Sequence, residues 1–153
     1  MLYTMVVPDA NVFAKLFHRE ADSNEARMFF KVCATTNTKQ FVPELFKYEI
    51  AQITRNYQES LTKTLNVFFA HEQSILRVLP PDRETWLLAE KISHDGHEKS
   101  GYPSIYDSIY HAMAIKLDAT FLTADKRHYA KTKQHGHIKL LEDWESIFIK
   151  PRV

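Results

Sequence analysis

The sequence predicts an α/β fold in which helices cover both faces of a central parallel sheet, and three observations carry that expectation. Short apolar, β-rich runs recur along the chain, longer segments with helical spacing separate them, and no two runs lie close enough to form a hairpin. Strands joined only through helices pair in parallel, with right-handed crossovers. The runs fall at residues 3–7, 40–42, 75–79, 120–123 and 138–141, about five short strands in a three-layer arrangement. The helical segments fall at 10–18, 23–35, 44–57, 61–73, 84–94, 105–117 and 143–149.

Local chemistry supports several of these elements. Segment 10–18 opens behind Asp9, a good N-cap residue. Segment 44–57 starts at Pro43-Glu44 and carries Phe46, Ile50, Ile53 and Tyr57 as an apolar stripe. Leu61, Leu65, Phe68 and Phe69 make 61–73 apolar enough to pack on a core, a dimer partner or another helix. In Pro103-Ser104-Ile105-Tyr106-Asp107, Ser104 and Asp107 have the spacing of a capping box.

Composition bounds the rest. The 153 residues hold 44% hydrophobic and 12% aromatic residues, with 20 Lys+Arg against 19 Asp+Glu, as expected of a folded domain. That length suits a single domain spanning 1–153. The single cysteine, Cys33, excludes an intramolecular disulfide and a zinc-thiolate site and points to a reducing compartment. With no leader-like start and no long apolar window, the expected location is the cytoplasm, away from membrane. A net charge of +1 lacks a nucleic-acid binder's overall basicity, but Lys126, Arg127, Lys131, Lys133 and Lys139 form a local cationic strip without an acid among them.

In open α/β sheets ligands bind beyond the carboxyl ends of the strands. Asp9 follows the first strand and Asp125 follows the fourth, while Asp107 opens a helix. Each also suits an N-terminal helix position for purely structural reasons. Glu49 does not, because it falls inside the stripe of Phe46 and Ile53, where an ionised acid needs a partner or a metal. Glu44, at the helix start, is a reserve candidate. Four acids in one cleft repel one another, and hard divalent cations with oxygen ligands relieve that repulsion in a way that suits phosphodiester hydrolysis.

Four blocks carry a resemblance: Asp9-Ala10-Asn11-Val12-Phe13 with Lys15, Pro43-Glu44-Leu45-Phe46-Lys47-Tyr48-Glu49-Ile50, Tyr106-Asp107-Ser108-Ile109-Tyr110-His111-Ala112-Met113-Ala114, and Phe121-Leu122-Thr123-Ala124-Asp125-Lys126-Arg127. In this order the chain resembles the PIN-domain ribonucleases, and within them the VapC-type toxins of toxin–antitoxin pairs. The resemblance implies a PIN-like fold and a cytoplasmic endoribonuclease dependent on Mg²⁺ or Mn²⁺, leaving a 5′-phosphate and a 3′-hydroxyl. It implies RNA as substrate, an antitoxin protein as partner, and a homodimer as a further assembly. By resemblance Asp9, Glu49, Asp107 and Asp125 are the catalytic acids. Asp9 and Asp107 would be direct metal ligands, with Glu49 and Asp125 orienting water or holding a second ion. Asn11 and Thr123 match the polar residues that support the first and last acids.

Weaker signals surround these. Lys15, Lys126 and Arg127 suit phosphate, and His111 lies one helical turn beyond Asp107, where it could meet substrate, hydrogen-bond that acid or lie on the helix surface. Tyr106, Tyr110, Phe13 and Phe17 could stack on bases or pack in the core. His94 with His97 and His135 with His137 have spacings compatible with a transition metal, without an evident third ligand. Two rival readings stand: a non-catalytic PIN module binding RNA or a protein, and a phosphatase with an aspartyl nucleophile at Asp9, although position 11 is Asn where that chemistry commonly has Asp.

Overall fold

A computed structural model describes residues 4–149 of the chain. In order, the elements are β1 (Met5–Pro8), α1 (Ala10–Ala14), α2 (Ser23–Thr36), β2 (Lys39–Pro43), α3 (Leu45–Asn56), α4 (Leu61–Glu72), β3 (Leu76–Leu79), α5 (Arg83–Ser93), α6 (Ile105–Lys116), β4 (Thr120–Thr123), α7 (Lys126–Thr132) and β5 (Ile138–Leu140). A 3₁₀ segment, Leu141–Ile147, follows β5. The five strands form one wholly parallel sheet in the order β3-β2-β1-β4-β5. The expected α/β, PIN-like architecture is present.

Several helix starts are set by side chains. Ser60 caps α4 at Lys63 N, Asp82 caps α5 by accepting from Thr85 N at 2.8 Å, and Ser104 caps α6 by accepting from Asp107 N at 3.1 Å. Helix α2 ends where Asn37 takes a left-handed conformation, which its short polar side chain tolerates.

The inner strands are buried, with Val6, Val7, Phe121 and Leu122 sealed from solvent. This is why they read as continuous apolar runs instead of alternating ones. Phe13 packs edge-on against Phe17, Phe30 and Phe46, tying α1 to α2 and α3. A separate cluster of Ala89, Ile92, Ile109 and Ala112 joins α5 to α6. The chain moves from β1 outward to β2 and β3, then returns past β1 to β4 and β5, so it reverses direction across the sheet between β1 and β4; right-handed crossovers, the rule for parallel strands, put the helices before and after this reversal on opposite faces. Such a reversal point is where open α/β sheets build their sites.

The cationic strip contains the helix that Asp125 is placed to open, α7, followed by a 3₁₀ turn at Lys133–His135. Some expectations need correction. The expected helix at 143–149 is instead the 3₁₀ segment, broken at Asp143 (φ −105°). The first helix stops at Ala14 and gives way to turns through Phe17. Tyr3, expected in the first strand, lies outside the described residues. Among the described residues no helix is long and apolar enough to cross a membrane.

Candidate active site

Asp9 lies at the reversal point. Its backbone N–H donates to Leu122 O at 2.9 Å, continuing the β1–β4 pairing, and its side chain turns toward the carboxyl end of the sheet as the N-cap of α1. The capping bond from Asn11 N is long, 3.5 Å, so helix capping does not account for this carboxyl. A better bond comes from the buried Thr123, whose hydroxyl donates to Asp9 Oδ2 at 3.0 Å. The same hydroxyl accepts from Asp125 N at 3.0 Å, so one group joins the acid after β1 to the acid after β4.

Asp9 is only 2% exposed, and its pKa is pushed up to about 7. Burial is the largest cause, the charges of Asp107 and Glu49 add to it, and the Thr123 and Asn11 bonds act in the opposite direction. Asp107, half-buried in the first turn of α6, is raised by burial and by Asp125, against a lowering bond from Ser104. Glu49 projects inward from α3. Its Oε1 accepts from the Tyr110 hydroxyl at 2.7 Å, which lowers its pKa, but burial outweighs this and Asp107 adds to the rise. Asp125 is exposed and caps α7 by accepting from Arg127 N and His128 N, both at 3.0 Å.

The four acids therefore act on one another, although they come from four separate elements. No cation contributes to the shifts of Asp9, Glu49 or Asp107. All the available donors are oxygens, the chemistry that hard divalent ions prefer. Among the described residues, no three His, Cys, Asp or Glu side chains converge into a finished metal cage. Mg²⁺ commonly uses only one or two carboxylates, with water and substrate phosphate completing its shell, and the dispersed acids are compatible with that mode.

A family model for the PIN domain matches residues 6–134. The chain belongs to the PIN domain family. A search of curated protein sequences finds no match. Among solved structures, the PIN domain is similar to VapBC2 from Rickettsia felis, solved bound to a promoter DNA fragment, with a TM-score of 0.64, 13% identity, and coverage of 90% of this chain and 97% of that one. It is also similar to VapC20 from Mycobacterium tuberculosis, a sarcin-ricin loop cleaving toxin, with a TM-score of 0.61, 17% identity, and coverage of 82% and 93%. FitAcB from Neisseria gonorrhoeae gives a TM-score of 0.60, 14% identity, and coverage of 89% and 96%.

Around the acids, the PIN domain places the remaining candidates unevenly. Asn11 is exposed and supplies its backbone N–H to Asp9. Lys15 is buried, its ammonium held by Glu20 and, at 2.9 Å, by Asp22. His111 is sealed from solvent and its Nε2 bonds Gly136 O at 2.7 Å, so it lies neither on the helix surface nor where a substrate reaches it. Lys126 and Arg127 are exposed beside Asp125, with Lys126 loosely paired to Glu142 at 3.8 Å. Glu44 is exposed at the N-cap of α3 and makes no capping bond. His135 pairs with Asp95, and His137 Nδ1 bonds Ala119 O at 2.8 Å.

The sequence weighed Tyr110 only as a stacking ring or a core residue. It is a core ring, stacked against Phe121, but its hydroxyl also meets Glu49. The signal was its position three residues after Asp107, which puts both on one helical face. Phe13 is likewise core, whereas Tyr106 faces solvent.

Proposed function

We propose that this PIN domain is a single-domain, metal-dependent endoribonuclease of the cytoplasm and the toxin of a toxin–antitoxin pair. One observation carries the reading: a buried carboxyl at the sheet's reversal point, pushed up to about 7 by burial and neighbouring acids, with no cation contributing to its balance. The similarity to structures described as VapBC2, a sarcin-ricin loop cleaving toxin and FitAcB supports the same class.

Asp9 and Asp107 are the residues to hold Mg²⁺ or Mn²⁺, with Asp125 and Glu49 orienting water or holding a second ion. Bound there, the ion supplies a water of lowered pKa and neutralises charge developing on the phosphate. Thr123 fixes Asp9 through its hydroxyl and Asp125 through the backbone, keeping the two acids in register. Tyr110 occupies Glu49 Oε1, which leaves Oε2 to orient the attacking water. Arg127 and Lys126 hold the phosphates of the strand. The water oxygen bonds to phosphorus as the bond to the 3′ oxygen breaks, the water gives up a proton and the departing 3′ oxygen takes one up, giving a 5′-phosphate and a 3′-hydroxyl. The outward face of α4, with Leu61 and Phe69 exposed above the buried Thr64 and Phe68, offers an apolar surface to an antitoxin helix.

Purified protein incubated with total cellular RNA and Mg²⁺ or Mn²⁺ tests the reading, with EDTA and an Asp9→Asn, Asp107→Asn double variant as controls. Discrete fragments bearing 5′-phosphates are expected only from the wild type with metal. Equal cleavage by wild type and double variant would overturn the assignment.

A further inference from the structure

The turn between α5 and α6 is built to present a cation, and the hydrolytic chemistry does not use it. His97 and Gly101 pair as a short antiparallel bridge, with Gly101 N donating to His97 O at 2.6 Å and His97 N donating to Gly101 O at 3.2 Å. Lys99 stands at the tip, and its backbone N–H donates to His97 Nδ1 at 3.1 Å. Gly101 adopts a φ of +82°, and a Cβ at Gly96 would lie 2.5 Å from Gly101 O, so both positions need glycine for the turn to close. Residues after α7 clasp this turn. Asp95 accepts from Gln134 Nε2 at 3.0 Å and pairs with His135, while Gln134 also donates to Lys131 O at 2.6 Å. The Lys131 ammonium lies over Gly101, 3.6 Å from where a Cβ would stand.

The clasp brings three cations to one depression, lined by Lys99, Ser100, Arg127, Ala130 and Lys131. Arg127 and Lys131 are one helical turn apart, a spacing at which like charges repel. Among the described residues, no carboxylate lies within ion-pair distance of Lys99, Arg127 or Lys131. The lining holds no large apolar side chain, so it offers charge and a hydroxyl without a hydrophobic anchor. That suits a phosphodiester backbone better than an acidic protein segment, whose docking draws on apolar contact as well. Both walls lead to the acids: the turn runs on into α6, whose first turn carries Asp107, and Arg127 stands two residues after Asp125. Another depression borders Asp125 through Ala124 and Lys126, but it is also lined by Asp22, Glu25 and Glu142, three carboxylates against one ammonium. These charges direct a phosphate strand over α7 and away from that second depression.

We propose that Lys99 and Lys131, with Arg127, form a phosphate-tracking surface along which the RNA strand leaves the catalytic acids, and that Asp95, clasped by Gln134 and His135, is the positioning residue that holds the Lys99 turn against α7. Phosphate contacts carry no base information, so this surface sets affinity and the register of the strand over the acids for every sequence alike. This inference rests on the nuclease reading above.

Labelled single-stranded RNA 12-mers of two unrelated sequences are titrated with full-length protein in EDTA, across a range of salt concentrations, and followed by anisotropy. For single strands the logarithm of the affinity falls by roughly 0.7 per phosphate contact for each tenfold rise in salt, so one lost contact costs about fivefold at about 0.1 M and nothing near about 1 M. Lys99→Gln and Lys131→Gln should each show that loss on both sequences and lower the slope by about 0.7. Lys39→Gln, at the amino end of β2 and opposite the acids, should change neither. Asp95→Ala should weaken binding as Lys99→Gln does and add little to it in the double variant, because it acts through Lys99. Asp95→Asn keeps an acceptor for Gln134 and His135 and should not weaken binding. Loss of the Asp95 charge by itself favours a phosphate strand, so weakening by alanine reports the lost clasp. With metal, the two lysine variants should raise KM for cleavage more than they lower kcat.

Wild-type affinity and slope in both lysine variants overturn the phosphate surface and leave the nuclease reading standing. A loss that persists undiminished at high salt overturns it too, because the lysines then act through packing. Asp95→Ala that binds like the wild type, or Asp95→Asn that binds as weakly as alanine, overturns the positioning role. A wild type that binds neither strand overturns the proposal, and if it also cleaves no RNA with metal the nuclease reading falls with it. If the lysine variants keep RNA binding but lose binding of poly-glutamate, the surface docks an acidic protein segment and the proposal falls.

Discussion

Asp9→Asn, in the absence of divalent metal, should raise the thermal stability of the protein above neutral pH while abolishing cleavage. The Asp9 carboxyl has a pKa of about 7 when folded against an ordinary value of 3.8, chiefly because it is buried beside Asp107 and Glu49. Folding therefore favours its protonated form. The associated stability is fully present below about pH 4 and is lost as pH rises to about 7, where the buried group ionises. At 1.36 kcal/mol per pKa unit, the loss amounts to about 4 kcal/mol by pH 8. Asn cannot ionise, and its Oδ1 can still accept from the Thr123 hydroxyl. For a chain of this length, roughly 2–4 °C per kcal/mol translates the difference into an increase of about 8–16 °C in melting temperature at pH 8.5, shrinking to near zero at pH 4. The assay is a set of thermal melts in EDTA at pH 4, 5.5, 7 and 8.5 for both proteins. A gap that stays constant with pH, or a wild type that is the more stable at pH 8.5, would refute the reasoning.

Three further outcomes follow from the same contacts. Thr123→Ala removes a bond that favours ionised Asp9 and orphans Asp125 N, so the rise of cleavage with pH should move to higher pH with a loss of about 1–3 kcal/mol in melts, and Thr123→Ser should restore both. Tyr110→Phe keeps the ring on Phe121 but frees Glu49 Oε1; denaturant titration should show a loss of about 1–2 kcal/mol, and single-turnover assays a slower cleavage step at unchanged RNA affinity. Asp125→Asn keeps an acceptor for Arg127 N and His128 N while Asp125→Ala does not, so both variants should lose cleavage but only alanine should lower the melting temperature, by about 2–4 °C for a capping loss near 1 kcal/mol.

Much of the fold was legible because the strands and long helices have strong periodicity, and the acids could be located because they follow strand ends. What escaped detection depended on contacts distant in sequence. Helix α7 is legible only through Asp125 as an N-cap that opens it; its seven residues carry no apolar stripe, and its extent depends on His128 and Thr132 turning into the protein. His111 was read from the surface spacing of an amphipathic helix, but α6 is buried without interruption from Ser108 to Ala114, enclosed on more than one side. Lys15 looked free because its partners, Glu20 and Asp22, lie in the turn that follows the shortened α1. Asp9 and Asp125 illustrate a subtler limit. Both cap helices, as a purely structural reading expects, and only burial and the shared Thr123 hydroxyl separate a long, weak cap bond on a perturbed acid from an ordinary cap.

The central claim is that these acids are arranged to hold a divalent cation, and calorimetric titration with Mn²⁺ at pH 7, repeated in buffers of different ionisation enthalpy, tests it most directly. Because a ligating carboxyl must ionise and burial beside Asp107 and Glu49 pushes the Asp9 carboxyl up to about 7, binding should be accompanied by proton release. Both the heat of binding and the proton release should vanish in the Asp9→Asn, Asp107→Asn variant. Mn²⁺ binding that survives unchanged in that variant, or no binding by the wild type, would contradict the account.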